Sequence, residues 1–88
     1  MRAPNPIHPG QMLLEEFLGP MGLPQRQFAK RLGCTTAKLN ELIRGKRGIT
    51  ADSALDFAAA LGTSPELWLN LQMYFDLAAA EARRQRAS

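Results

Sequence analysis

The middle of the chain concentrates side chains that are suited to binding a polyanion. Between Gln25 and Thr50 one acidic residue, Glu41, opposes seven basic ones: Arg26, Lys30, Arg31, Lys38, Arg44, Lys46 and Arg47. Residues 51–80 have the opposite character, with four carboxylates and no lysine or arginine. Because the net charge of the 88-residue chain is only +3, this separation indicates an anionic partner for the middle segment alone. Charge by itself leaves open a solvated basic face without any partner.

Side chains that could support catalysis or bind a metal ion are few and poorly spaced. The single histidine, His8, and the single cysteine, Cys34, give neither a Cys–His pair with an orienting partner nor a metal cluster. Glu15 and Glu16 are adjacent, and therefore lie about 100° apart on a helix, which does not make a paired-carboxylate site. We expect His8 at the start of a helix and Cys34 buried as a small apolar residue. The sequence predicts no enzymatic activity, catalytic residue, metal, cofactor or small-molecule substrate.

Size and composition are those of one small domain. Apolar residues make up 45% of the chain and charged residues 22%, which is ordinary for a folded globular protein. No apolar run approaches the roughly 18 residues that a membrane span needs, and residues 1–10 lack the apolar stretch of a secretory signal. We therefore expect a cytoplasmic protein with no membrane partner. A core this small gives modest stability, which oligomerisation would supplement.

Helix start and stop signals divide the chain into five predicted helices, with no strand alternation anywhere. The start signals are Pro9, Pro24, Thr35 or Thr36, Thr50, and Ser64 with Pro65. The stop signals are Gly19-Pro20 with Gly22, then Gly33, Gly45 and Gly62. The fourth helix has an apolar stripe that we expect to be buried: Ala54, Leu55, Ala58 and Leu61. The prediction is an all-α domain at residues 9–82, with an N-terminal arm at 1–8 and a polar tail at 83–88.

Residues 25–45, QRQFAKRLGCTTAKLNELIRG, have the features of a helix-turn-helix unit formed by the second and third helices. Two short helices joined by about three residues must cross steeply. Ala29 is small where the backbones approach, and Gly33 permits the unusual backbone angle that the turn needs. The apolar residues expected to face the core are Phe28, Leu32, Cys34, Leu39 and Leu42. The alternative is a purely structural helical hairpin, and the basic charge of the segment favours DNA binding instead.

The second helix of such a unit fits the major groove of B-DNA with its N-terminal end foremost. Thr35, Thr36 and Ala37 are then expected nearest the base edges. The candidate DNA-contacting residues are Gln25, Thr35, Thr36, Ala37, Lys38, Asn40, Arg44, Lys46 and Arg47. Lys38 and Asn40 can reach bases or phosphates, whereas Gln25 and the three later basic residues are expected on phosphates. For Glu41 a solvent or intramolecular role is the preferred interpretation.

Motifs outside this unit carry a family resemblance. GKRGIT at residues 45–50 is followed by GTSPELWLNLQ at 62–72, after an opening IHPGQMLLEEFLGPMGL at 7–23 and before MYFDLAAAE at 73–81. With these segments the chain resembles the HigA/VapI group of antitoxins, in the lambda-repressor-like (Cro/C1-type) helix-turn-helix superfamily. The resemblance covers roughly residues 7–81.

The resemblance implies a fold and a function that composition does not. Members have a five-helix lambda-repressor-like domain and neutralise, by binding, a HigB/RelE-like toxin that cleaves mRNA. As dimers they also bind the palindromic operator of their own operon in double-stranded DNA and repress its transcription. The DNA-facing positions that it implies are those named above, apart from Ala37, and it assigns no toxin-contacting residue. The alternatives are a stand-alone transcriptional regulator without a toxin, and a helical adaptor whose basic face binds an acidic protein.

The fifth predicted helix is apolar on two sides. One face carries Leu67, Leu71, Tyr74, Phe75 and Ala78, with Trp68 at its border. The nearly opposite face carries Leu69, Met73, Leu77 and Ala80. One face can cover the core, and the other would be exposed in a monomer, which marks it as an interface. We predict a homodimer joined partly through Leu69, Met73 and Leu77; the alternative is a last helix wrapped tightly on its own short chain.

Overall fold

A computed structural model of the chain describes residues 6–87 and places most of them in five helices. The first, α1, is continuous through Pro9–Met12, a π-helical segment Leu13–Leu18 and a closing turn Gly19–Met21. The others are α2 (Gln25–Leu32), α3 (Thr36–Ile43), α4 (Ala51–Leu61) and α5 (Pro65–Ala87). The part of the chain so described contains no strand, which confirms the predicted all-α fold. Residues 1–5 of the predicted arm and Ser88 of the predicted tail lie outside the described residues.

Side-chain caps begin four of the helices, because the first backbone N–H groups of a helix have no partner within it. His8 Nδ1 accepts from the Gly10 N–H at 3.0 Å, and Thr35 Oγ1 accepts from the Lys38 N–H at 3.1 Å. Thr50 Oγ1 accepts from the Ser53 N–H at 3.2 Å, and Ser64 Oγ accepts from the Leu67 N–H at 3.2 Å. These bonds confirm four of the five predicted helix starts and identify Thr35, not Thr36, as the cap of α3. The remaining helix, α2, begins at Gln25 after Pro24 without a side-chain cap.

The pair Gly19-Pro20 lies inside α1, whereas the sequence placed it among the signals that end this helix. Proline has no N–H, and its ring collides with the carbonyl four residues earlier in a regular α-helix. Just before Pro20 the Gly19 N–H donates to the carbonyl of Leu14, five residues earlier. This π-helical register relieves the conflict, and α1 continues to Gly22, whose positive φ of 62° ends it.

Aromatic side chains connect the helix-turn-helix unit to the two later helices. Phe28 of α2 lies 5.7 Å from Phe57 of α4, and Phe57 lies 5.1 Å from Trp68 of α5, between ring centroids in edge-on arrangements. Trp68 is fully buried and its Nε1–H donates to Thr63 Oγ1 at 2.8 Å. The buried core comprises Leu13, Leu18, Leu23, Phe28, Ala29, Leu39, Leu42, Ile49, Ala54, Phe57 and Trp68. This arrangement fixes the orientation of α2 and α3 relative to α5.

Two apolar residues lie differently from the sequence prediction. Leu55, expected in the buried stripe of α4, is 57% exposed, and Phe57 is buried in that helix with Ala54. Positions 54 and 57 are three apart and share a helix face, whereas position 55 is turned about 100° from position 54. Tyr74, expected on the core-facing side of α5, is 50% exposed.

The last helix is longer than the sequence indicated. We expect it to end near residue 82, yet α5 continues to Ala87. Residues 83–87 contain no glycine or proline and consist of good helix formers. Arg84 and Arg86 lie in the final turn, where positive charge complements the helix dipole.

Across the described chain, no helix combines the length and apolar character that crossing a bilayer requires.

Candidate DNA-binding surface

The turn between α2 and α3 has the geometry of a helix-turn-helix unit. Gly33 takes a positive φ of 76°, which a residue with a side chain rarely adopts. The Cys34 N–H then donates to the carbonyl of Ala29 at 3.0 Å, closing the turn. Ala29 is 1% exposed, as expected for the small residue at the crossing. Cys34 is partly buried against the core, and α3 therefore leaves the turn at a fixed angle.

The first turn of α3 is presented to solvent. Thr35, Thr36, Ala37 and Lys38 are all exposed, whereas Leu39 and Leu42 on the inner side of the helix are buried. The cap of α3 uses the Thr35 oxygen as an acceptor, so this residue offers its methyl group and its O–H to a ligand. This short surface of hydroxyls, methyls and one ammonium group is chemically suited to base edges.

Gln25 and Asn40, which the sequence indicated separately, form a pair. Asn40 Nδ2 donates to Gln25 Oε1 at 3.1 Å, and both residues are half-buried. The bond leaves the side-chain nitrogen of Gln25 available as a donor, which suits a phosphate oxygen. It also leaves the side-chain oxygen of Asn40 available as an acceptor. It also joins the beginning of α2 to the middle of α3, so that the two helices present these groups together.

The loop between α3 and α4, residues 44–50, carries exposed positive charge and is called the basic loop below. Arg44, Lys46 and Arg47 are all exposed, and Arg47 Nε lies 3.5 Å from Glu41 Oε1. This ion pair gives Glu41 the intramolecular role expected for it. Because both side chains are about half exposed, the pair contributes about 0–1 kcal/mol to stability and can yield to a phosphate group.

Gln72 of α5 is a polar side chain at this loop that the sequence reasoning missed. Its Oε1 accepts a hydrogen bond from the Ile49 N–H at 2.7 Å, and its Nε2 donates to Asp76 Oδ1 at 2.9 Å. A Cβ on Gly48 would lie 3.1 Å from the Gln72 amide, so glycine leaves room for it. The only signal available in the sequence was its place at the end of the GTSPELWLNLQ motif.

His8 joins the start of α1 to the same region. It is buried, and its ring meets that of Phe75 edge-on with 4.8 Å between centroids. Burial lowers the pKa of His8 below its ordinary 6.5, against smaller opposing contributions from Asp76 and the backbone of Arg47. Within residues 6–87 no three or more histidine, cysteine, aspartate or glutamate side chains are grouped to hold a metal ion. Because its Nδ1 accepts the Gly10 N–H, His8 caps the start of α1, the helix-start position that the sequence indicated.

The lowered pKa of His8 predicts that the protein becomes less stable as pH falls through about 6.5. The unfolded chain takes up a proton on His8 at a higher pH than the folded protein does. The stability that comes from keeping His8 neutral is therefore fully present at pH values above its pKa in the unfolded chain. It is lost as pH falls toward its pKa in the folded protein, and it amounts to about 1.4 kcal/mol for each unit by which the two pKa values differ. His8→Asn keeps a capping acceptor but does not titrate. Urea unfolding at about pH 7.5 and pH 5.5 should show a larger loss in the native protein than in the variant; parallel losses would contradict the prediction.

The predicted dimer residues of α5 lie on its exposed side. Leu69 is 37%, Met73 is 45% and Leu77 is 38% exposed, and Tyr74 is exposed beside them. In a single chain these side chains form an apolar strip along a helix that packs on α4. Exposed strips of this kind are typical of protein–protein interfaces.

Comparison with known proteins places the chain in a family. A profile of the Helix-turn-helix family, HTH_3, matches residues 14–68. Virulence-associated protein I of Dichelobacter nodosus is 46% identical over 79 residues, which are 90% of this chain and 73% of that protein. Antitoxin HigA-1 of Vibrio cholerae is 42% identical over 73 residues, which are 83% of this chain and 69% of that protein.

A solved structure agrees with the sequence relatives. The fold matches the Pseudomonas aeruginosa antitoxin HigA, determined with the higBA promoter, with a TM-score of 0.88 and 35% identity. The match covers 94% of this chain and 90% of that one. The family is one of DNA-binding antitoxins and regulators and is not a family of enzymes. The chain belongs to the HigA/VapI-type antitoxins of the helix-turn-helix family.

Proposed function

We propose that this protein is the antitoxin of a toxin–antitoxin pair that represses its own operon. As a homodimer it binds a palindromic operator, and it neutralises a RelE-like, mRNA-cleaving toxin by binding it. The observation that carries the DNA-binding part is the exposed first turn of α3 beside an exposed basic loop. The same architecture occurs in the Pseudomonas aeruginosa antitoxin whose structure includes its promoter.

Each group on this surface has a proposed role in the DNA complex. Thr35, Thr36 and Ala37 lie against base edges, and Lys38 and Asn40 bond to bases or phosphates. The Gln25 amide contacts a phosphate at the start of α2. The other phosphate contacts come from Arg44, Lys46 and Arg47. Phosphate contacts set orientation and most of the affinity, whereas the contacts of α3 set sequence preference.

Dimerisation through α5 gives the site its symmetry. Leu69, Met73 and Leu77 of one copy pack against the same residues of a second copy across a two-fold axis. Two recognition helices about 34 Å apart then meet successive major grooves on one side of the duplex, and the operator is an inverted repeat.

Binding of the purified protein to its own promoter, with excess nonspecific DNA at two salt concentrations, tests the proposal. We expect a sequence-specific complex that weakens steeply with salt, with a log–log slope near −0.9 per phosphate contact. Lys46→Ala should weaken binding to all sequences about equally and reduce the slope. Thr36→Ala should mainly change sequence preference.

Absence of any specific complex, with the protein folded and dimeric, would contradict the DNA-binding proposal and favour the helical adaptor. The toxin is tested by co-expression with the neighbouring gene and purification of the antitoxin. A small RNase that co-purifies, and whose cleavage of mRNA is suppressed in the complex, supports neutralisation. Specific promoter binding without such a partner would instead identify a stand-alone regulator.

A further inference from the structure

The basic loop is held differently on its two sides. On the α3 side, backbone bonds close the end of the helix: the Gly45 N–H donates to the carbonyl of Leu42 at 3.0 Å, and the Lys46 N–H donates to the carbonyl of Glu41 at 2.8 Å. On the α4 side, the Ile49 N–H donates to a side chain of a distant helix, Gln72 of α5, at 2.7 Å. The loop therefore depends on α5 for its position at one end.

The orientation of the Gln72 amide is defined from both ends. Its oxygen faces the N–H of Ile49, and its nitrogen donates to the carboxylate of Asp76 one turn further along α5. The reverse orientation would set two donors against each other and two acceptors against each other, so only one amide orientation is favourable. The bare backbone of Gly48 lies directly beside this amide, and Ile49 is 7% exposed. The hydrogen bond between Ile49 and Gln72 is thus partly buried and has one favourable geometry.

Gln72 also adjoins the predicted dimer strip on its own helix. Leu69 precedes it by three residues and Met73 follows it directly, so one rigid segment of α5 carries the strip and the support of the loop. Lys46 and Arg47, the loop's predicted phosphate contacts, lie three and two residues before Ile49, respectively. A dimer formed through α5 would fix the separation of the two basic loops through this connection.

We propose that Gln72 is a positioning residue for DNA binding: its hydrogen bond to Ile49 holds the basic loop on the dimerisation helix, ready to contact the phosphate backbone. This inference rests on the proposed function. Gln72 itself touches no DNA and acts through Lys46 and Arg47. A loop ordered before binding loses less conformational entropy in the complex, so the bond increases affinity without adding a contact.

A change from Gln72 to methionine tests the role, because methionine has similar length and its thioether sulfur is only a weak acceptor for the Ile49 N–H. We expect Gln72→Met to weaken operator and nonspecific DNA binding by roughly five- to tenfold. In a Lys46→Ala, Arg47→Ala background the same change should weaken binding by less than about twofold, because the contacts it positions are gone. Gln11→Met, on an exposed amide that donates to Glu15 within α1, is the matched control and should leave binding unchanged.

Amide hydrogen exchange of the free protein supplies a readout that does not require DNA. Gln72→Met should lower the protection of the Ile49 N–H while protection of the core amides of α2 and α4 is retained. Unchanged protection of Ile49, unchanged DNA affinity, or an equal loss of affinity in both backgrounds would each overturn the positioning role. If the native protein bound no DNA, the proposed function would fail, and the exchange result would still report on the contact.

Discussion

Replacing Met73 and Leu77 together with glutamate is expected to give a folded monomer whose affinity for the operator is lower by at least about 100-fold. Both side chains lie on the exposed apolar strip of α5, so the charges are tolerated by a single chain. In a dimer they would be buried as like charges facing each other across the two-fold axis, which association cannot compensate. The monomer then binds a single half-site and lacks the gain in affinity that a dimer obtains by binding two half-sites at once.

The matched control for this experiment is Leu55→Glu. Leu55 is even more exposed than the residues of the strip, at 57%, but lies on α4. We expect it to leave both the oligomeric state and operator affinity unchanged. Light scattering at micromolar concentration measures the oligomeric state, and promoter binding measures the operator affinity. A native protein that is monomeric under these conditions, or a double variant that remains dimeric, would show that the strip is not the interface.

Features set by local chemistry could be read from the sequence. The caps at Thr35, Thr50 and Ser64 depend on a hydroxyl and an N–H only three residues apart, and each is present in the structure. The turn at Gly33 depends on the backbone freedom of a single residue. The family motifs could be recognised for a comparable reason, because each of them is a contiguous stretch of sequence. Recognising them identified the fold.

Features set by distant parts of the chain could not be read in this way. Gln72 reaches Ile49 across 23 residues of sequence, and Asn40 reaches Gln25 across 15. The helical period shows which residues share a face but does not show where the neighbouring helix lies. Leu55 was therefore placed in the core, although Phe57 occupies it. The DNA-contacting and dimer residues remain predictions, because their partners are other molecules.

A close approach between α1 and α3 is another such feature. Gly10, in the first turn of α1, is buried against the end of α3. A Cβ at this position would lie 2.7 Å from the Cα of Ile43 and 2.8 Å from the carbonyl carbon of Leu42. These are backbone atoms of the recognition helix, which cannot rotate away as the end of a flexible side chain can.

Gly10→Ala is therefore expected to destabilise the fold by about 3 kcal/mol or more, because α1 must move away from α3 and unpack the core between them. For a domain of this size, that loss lowers Tm by more than about 10 °C. Thermal and urea unfolding measure it directly. Gly19→Ala is the matched control, since it makes the same change in an exposed, helical part of α1 whose nearest neighbour is the Leu14 carbonyl oxygen at 3.1 Å. Alanine's higher helix propensity, worth about 1 kcal/mol, offsets that mild contact. Equal stability of the two variants would mean that α1 and α3 do not meet at Gly10.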